Sequence, residues 1–118
     1  MNAVINKIPA LVDEELKAAN VVHSSFHNQH EGYAVLLEEV EEVQAEMSGM
    51  EFQLRQLWGC VKHDDTLCAI GWAEGVERQA IRLAAEAIQV AAMARKFRAT
   101  NIKIPKGEDA EWANGTKA

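Results

Sequence analysis

Apolar residues recur every three or four positions along most of this chain, which is the spacing of one face of an α-helix. The clearest run comprises Tyr33, Leu36, Leu37, Val40, Val43 and Met47. The same period continues through Met50, Leu54, Leu57 and Val61. A long central helix is therefore predicted, either continuing to about Gly59 or ending earlier at Ser48-Gly49, since glycine weakens a helix.

Two further helices are predicted on either side of the central one. The first runs from Ala10 to about Val22, with an apolar face formed by Leu11, Leu16, Ala19 and Val22. The last runs from Leu67 to about Ala99. Its apolar positions are Ile70, Ala73, Ile81, Ala84, Ala85, Ile88, Ala92 and Met93. The many alanines in this helix favour close packing against a neighbouring helix.

Polar segments separate the three helices and offer residues that can cap them. Residues 23–28 contain three candidate N-cap residues, namely Ser24, Ser25 and Asn28. Residues 62–66 form a second polar break, in which Asp64, Asp65 or Thr66 could begin the last helix. The sequence therefore predicts a bend or break at each of these two places.

Composition supports an all-α fold. The 118 residues are 48% hydrophobic and 25% charged, as expected of one globular domain. No proline lies between Pro9 and Pro105, whereas an all-β domain would need many turns. We expect a single domain over residues 1–100, followed by an extended C-terminal tail over residues 101–118. Because long helices with short joints cannot bury all their apolar faces alone, a helical hairpin should complete a four-helix-type bundle by oligomerisation.

The net charge of −6 disfavours direct binding of nucleic acid, which needs clustered Lys and Arg. No apolar stretch reaches the 18 residues that suggest a membrane span, and the N-terminus does not resemble a secretory signal. Cys60 and Cys68 do not form a zinc-ligand pattern. They are interpreted as two free thiols filling small apolar spaces in a protein of the reducing cytoplasm.

Acidic residues crowd two turns of the central helix. They are Glu38, Glu39, Glu41, Glu42 and Glu46. Those spaced by three or four residues share a face and repel one another. No Lys or Arg occurs between Lys17 and Arg55 to neutralise them. Two interpretations stay open, a solvated acidic surface and a Mg²⁺ site, since Mg²⁺ prefers oxygen ligands.

Two segments of the chain resemble the motif helices of the MazG-like nucleotide pyrophosphohydrolases, particularly small phage and bacterial members. The first is His30-Glu31-Gly32-Tyr33-Ala34-Val35-Leu36-Leu37-Glu38-Glu39-Val40-Glu41-Glu42, and the second spans residues 87–97. The family motif reads Glu-Glu-x-x-Glu, followed on a later helix by Glu-x-x-Asp. Glu38, Glu39 and Glu42 match the first motif. Glu86 matches the first place of the second motif, and Gln89 stands where the family has Asp.

The resemblance implies an all-α enzyme that hydrolyses nucleoside triphosphates to the monophosphate and pyrophosphate with Mg²⁺. Its catalytic residues would be Glu38, Glu39 and Glu42. The ligands of the metal would be Glu39, Glu42, Glu86 and Gln89. The substrate phosphates would be bound by Arg82, Arg95 and Lys96. A homodimer or homotetramer is expected.

A different class of function stays open beside the enzyme. Gln89 offers a neutral amide, which binds Mg²⁺ more weakly than a carboxylate, and 43 residues separate Glu42 from Glu86. Both features favour a non-catalytic helical oligomer that binds a partner or a nucleotide, or a structural protein of phage origin. The basic residues near the end of the last helix also have an alternative role, which is to complement the helix dipole.

Overall fold

A computed structural model describes residues 3–100 of the chain, and within them it contains helices and no strand. A 3-10 turn over Ile5–Lys7 leads into α1 (Ile8–Val22), α2 (Gln29–Lys62) and α3 (Thr66–Ala99). The predicted all-α class is thereby confirmed. None of these helices carries an apolar stretch that could cross a membrane. The predicted C-terminal tail over residues 101–118 lies outside the described residues.

The central helix α2 runs without a break to Lys62, so the alternative of an end at Ser48-Gly49 is wrong. Gly49 lies where α2 approaches α3. A Cβ atom at Gly49 would stand 3.0 Å from the side chain of Gln79 on α3. The glycine therefore allows close contact between the two helices rather than ending the first of them.

Each long helix is preceded by a residue whose side chain caps its first turn. The Asn28 side chain accepts a hydrogen bond from the backbone N–H of Glu31 at 2.9 Å, and the Asp65 side chain accepts one from the N–H of Cys68 at 3.1 Å. Such bonds satisfy backbone donors that the first helical turn leaves free. Just before the second cap, Asp64 adopts a left-handed φ of 54°, a conformation that Asp tolerates better than most residues and that reverses the chain.

The two long helices, each of 34 residues and so about 50 Å long, form a hairpin, and α1 packs along α3 at the open end of the hairpin. We call this open end the base and the α2–α3 joint the tip. The buried core lies at the base and consists of Val12, Phe26, Ala92 and Met93. A small core at one end leaves most of the hairpin without apolar cover.

Lys96 joins the α1–α2 segment to α3 at the base. Its side chain is buried, its ammonium group donates a hydrogen bond to the carbonyl oxygen of His23 at 2.7 Å, and it lies 4.9 Å from the centroid of the Phe26 ring. A buried charge is tolerated when it is hydrogen-bonded, and the aromatic face adds attraction.

At the tip, Cys60 and Cys68 form a disulfide with a Cα–Cα distance of 5.6 Å. The expectation of two free thiols is therefore wrong. Cys60 lies near the end of α2 and Cys68 near the start of α3, and the tight joint between the helices brings them together. The inference of a reducing compartment assumed free thiols, so the cytoplasmic location stays a prediction.

Replacing Gly32 by Ala should destabilise the base of the hairpin. The new Cβ atom would lie 2.5 Å from Cδ2 of Phe97 and 3.0 Å from Cδ2 of Phe26, so an aromatic ring in the core must move. We expect a loss of about 1–3 kcal/mol in the free energy of unfolding, measured by urea denaturation.

The matched control is Gly59→Ala in the same helix, where a Cβ atom meets nothing within 4 Å. Alanine has the higher helix propensity, so this variant should gain roughly 0.5–1 kcal/mol. Equal effects of the two substitutions would contradict the close packing at Gly32.

Candidate metal site

The acidic helix face predicted from the sequence forms a compact cluster in the structure. Carboxylate oxygens of Glu38, Glu39 and Glu42 all lie within 4.8 Å of one another. Their positions follow from helix geometry, because residues three and four apart stand one above the other. Within residues 3–100 this is the one group of three or more His, Cys, Asp or Glu side chains that is arranged to hold an ion.

The last helix adds a carboxyl group to the same place. Glu86 of α3 approaches Glu42 closely enough for a hydrogen bond between the two side chains, and it also lies near Glu39. One oxygen of Glu39 and one of Glu86, both Oε2, are buried without a hydrogen-bond partner in the described part of the chain. Buried carboxylate oxygens without partners are costly, so a ligand that satisfies them would stabilise the site.

Two of these carboxyl groups bind a proton more strongly than usual. The pKa of Glu86 is raised, first by the hydrogen bond to Glu42, then by burial and by the negative charges of Glu42, Glu46 and Glu15. The pKa of Glu39 is raised first by burial and then by its acidic neighbours, of which Glu42 has the largest effect. Both shifts show that negative charge accumulates here without sufficient compensation.

The cluster extends beyond the residues that the sequence analysis selected. Glu15 of α1 raises the pKa of both Glu39 and Glu86, so its negative charge adds to that of the cluster. Glu46, one turn after Glu42, accepts a hydrogen bond from Gln79 and lies 3.6 Å from the Nε of Arg82. This exposed arginine thus places a cation beside Glu46, one turn from Glu42.

The predicted phosphate-binding residues separate into two groups. Arg82 lies one turn before Glu86 and pairs with Glu46. Arg95 pairs instead with Asp13 of α1, and Lys96 binds the carbonyl of His23. Because a helix rises 1.5 Å per residue, the last two stand roughly 14 Å or more beyond Glu86 along α3. Their phosphate role stays a prediction, and the structure gives them other partners.

Gln89 lies one turn beyond Glu86 on α3, with a half-buried side chain. Its place among the metal ligands stays a prediction. The neighbouring carboxylates fit a hard divalent cation, because four acidic side chains and two unpartnered buried oxygens are concentrated at one place. Mg²⁺ takes octahedral oxygen ligands and usually retains several waters, so carboxylates from facing helices can hold it without enclosing it.

Replacing Glu86 by Gln should stabilise the protein when divalent cations are removed with EDTA. Loss of one of the facing negative charges should raise the free energy of unfolding at pH 7 by roughly 0.5 kcal/mol or less, since part of the site is open to solvent. The matched control is Glu77→Gln, which removes the same charge from an exposed position of α3 and should change little.

The wild-type protein should also lose stability as pH rises above 4.5, the ordinary pKa of a glutamate. Glu39 and Glu86 bind protons more strongly in the folded chain than in the unfolded chain, so deprotonation penalises the folded state. This pH dependence, measured by urea denaturation in EDTA, should be weaker in Glu86→Gln than in Glu77→Gln. A stronger dependence in Glu86→Gln would contradict the proximity of these carboxyl groups.

Comparison with models of protein families, with curated proteins and with solved structures finds no match for this chain. The resemblance to the MazG-like family therefore depends on the motif residues alone. The function must be argued from the arrangement of the carboxylates on α2 and α3.

Proposed function

We propose that the protein is a Mg²⁺-dependent nucleoside triphosphate pyrophosphohydrolase, which converts the triphosphate to the monophosphate and pyrophosphate. The observation that supports this most directly is the approach of Glu86 to Glu39 and Glu42 across the α2–α3 contact. These are the motif positions for which the resemblance implies metal ligands, although 43 residues separate Glu42 from Glu86 in the sequence.

The carboxylates would have two roles, which are to bind the cation and to orient the attacking water. Glu39, Glu42 and Glu86, with Gln89, would hold Mg²⁺, and Glu38 would help to orient the attacking water with Glu39 and Glu42. When bound, Mg²⁺ neutralises phosphate charge and polarises the bond that is cleaved. The raised pKa of Glu39 and Glu86 supports this role, because a cation would replace the bound protons.

Arg82 is the basic residue best placed to contact a substrate phosphate. Its guanidinium group is exposed and lies on the same side as Glu46, next to the carboxylate cluster. An arginine presents two donors to phosphate oxygens in a fixed geometry. Arg95 and Lys96 would have to leave Asp13 and His23 before they could bind substrate, so their contribution would be smaller.

A second candidate is a non-catalytic helical oligomer that uses the acidic site only to bind a cation or a nucleotide. Gln89 supports it, because a neutral amide replaces the final acidic ligand of the family motif. The internal partners of Arg95 and Lys96 support it as well, because they leave Arg82 as the basic residue next to the site. A structural protein of phage origin would belong to this class.

Activity can be tested by incubating the protein with each nucleoside and deoxynucleoside triphosphate in Mg²⁺ and measuring pyrophosphate release. We expect release from at least one nucleotide, and a reduction of about 100-fold or more in Glu42→Gln because a metal ligand is lost. The control is Glu41→Gln, an exposed neighbour on the same helix outside the motif. Pyrophosphate formation unaffected by Glu42→Gln would contradict the assigned site.

The two candidate functions can also be distinguished by Gln89→Asp, which restores the motif. This variant should bind Mg²⁺ more tightly in calorimetric titration, because a carboxylate replaces an amide. It should also release pyrophosphate faster than the wild type. If the cation binds but neither protein hydrolyses any nucleotide, the non-catalytic function is the correct one.

A further inference from the structure

The disulfide at the tip lies where hydrogen bonds already close the joint between the two long helices. The carbonyl oxygen of Cys60 accepts hydrogen bonds from the backbone N–H groups of His63 at 3.1 Å and of Asp65 at 3.0 Å. The side chain of Asp65 in turn accepts a hydrogen bond from the N–H of Cys68 at 3.1 Å. These bonds involve no sulfur atom, so they can hold the two cysteines side by side after the disulfide is broken.

A contact between aromatic rings also joins the helices near the disulfide. The rings of Phe52 on α2 and Trp72 on α3 pack edge to face, with their centroids 6.0 Å apart. Such pairs attract one another beyond the effect of burying their surface. Phe52 lies about two helical turns before Cys60, and Trp72 lies about one turn after Cys68. The tip therefore has two kinds of contact that do not depend on the oxidation state of the cysteines.

The two cysteines differ in their access to solvent. Cys60 is only 4% exposed, whereas Cys68 is half-buried. Both line an open pocket of about 260 Å³, together with Lys62, His63 and Trp72. The rate of thiol–disulfide exchange depends on which sulfur atom the incoming thiol can reach. A small thiol that enters this pocket therefore reaches Cys68 more readily than Cys60.

The helix ends also distinguish the two sulfur atoms. Cys68 lies in the first turn of α3, where the backbone dipoles favour negative charge, and Cys60 lies in the last turn of α2, where they oppose it. Lys62 adds positive charge to the shared pocket, while Asp65 adds negative charge. The Asp65 carboxylate is already hydrogen-bonded to the backbone of α3. Position in the helices thus favours a thiolate at Cys68 over one at Cys60.

We propose that Cys60 and Cys68 form a reversible dithiol–disulfide pair that exchanges with low-molecular-weight thiols and their disulfides. In reduction, a small thiolate attacks Sγ of Cys68, the bond between the cysteines breaks, and Sγ of Cys60 takes up a proton. A second small thiolate then attacks the sulfur of the first, which releases the Cys68 thiolate and a small-molecule disulfide. Two electrons thereby pass from two small thiols to the protein.

Oxidation follows the same steps in reverse. The Cys68 thiolate attacks a small-molecule disulfide and forms a mixed disulfide, and Cys60 then displaces the remaining small thiol. Cys68 is thus the exchanging cysteine and Cys60 the resolving one. The inference is independent of the proposed hydrolase activity, because it depends only on the tip.

Reversibility can be tested by equilibrating the folded protein in buffers that range from reduced to oxidised glutathione. Free thiols are then alkylated and counted by mass spectrometry. We expect two thiols in reduced glutathione, none in oxidised glutathione, and the same helical circular dichroism in both. A folded protein that keeps its disulfide in every buffer would overturn the proposal. So would a loss of helical signal on reduction, since the bond would then be structural.

The roles of the two cysteines can be separated with single variants treated with oxidised glutathione. Cys60→Ala retains Cys68 and should accumulate a mixed disulfide with one glutathione, because the resolving thiol is missing. The matched control is Cys68→Ala, whose buried Cys60 should form the mixed disulfide about 10-fold or more slowly. Equal rates in the two variants, or a faster reaction of Cys68→Ala, would overturn the assignment of Cys68 as the exchanging cysteine.

Discussion

The middle of the contact between α2 and α3 is made by polar side chains, and other features of the molecule depend on this. Amides meet at Gln53 and Gln79, and carboxyl groups meet at Glu42 and Glu86. An ordinary helical hairpin would bury apolar residues in this contact. Here half-buried side chains in the middle of the contact carry negative charge, while several apolar residues of α2 are exposed. The carboxylate site and the exposed apolar residues of α2 are thus two results of the same rotation of α2 about its axis.

Like charges between helices would separate them unless other contacts held the pair together. At the base, Phe26 and Phe97 pack with their ring centroids 6.5 Å apart, and Lys96 joins α3 to the carbonyl of His23. Near the tip, Phe52 and Trp72 pack edge to face at 6.0 Å. Glycines beside the interhelical glutamines allow the backbones to come close between these contacts. The hairpin therefore tolerates repulsion in its middle because its two ends are held by other means.

The sequence predicted the helices and their caps well, because propensity, periodicity and capping are local properties. The proximity of Glu38, Glu39 and Glu42 could also be foreseen, since spacing within one helix determines it. The approach of Glu86 required a resemblance to a family motif. Glu15 offered no signal, because the docking of one helix on another is not encoded in local spacing. The disulfide was missed for a related reason: it depends on how tightly the chain turns between Cys60 and Cys68.

The Cys60–Cys68 bond has a consequence for a site about half a helix length away. With the tip closed covalently and the base closed by the core, the segments that carry Glu42 and Glu86 are tethered at both ends. Closing a flexible chain around an ion costs conformational entropy, and that cost grows with the length of chain that must be ordered. Under the proposed function this ordering would precede the arrival of an ion, so carboxylates from two helices would act together as one preorganised chelator.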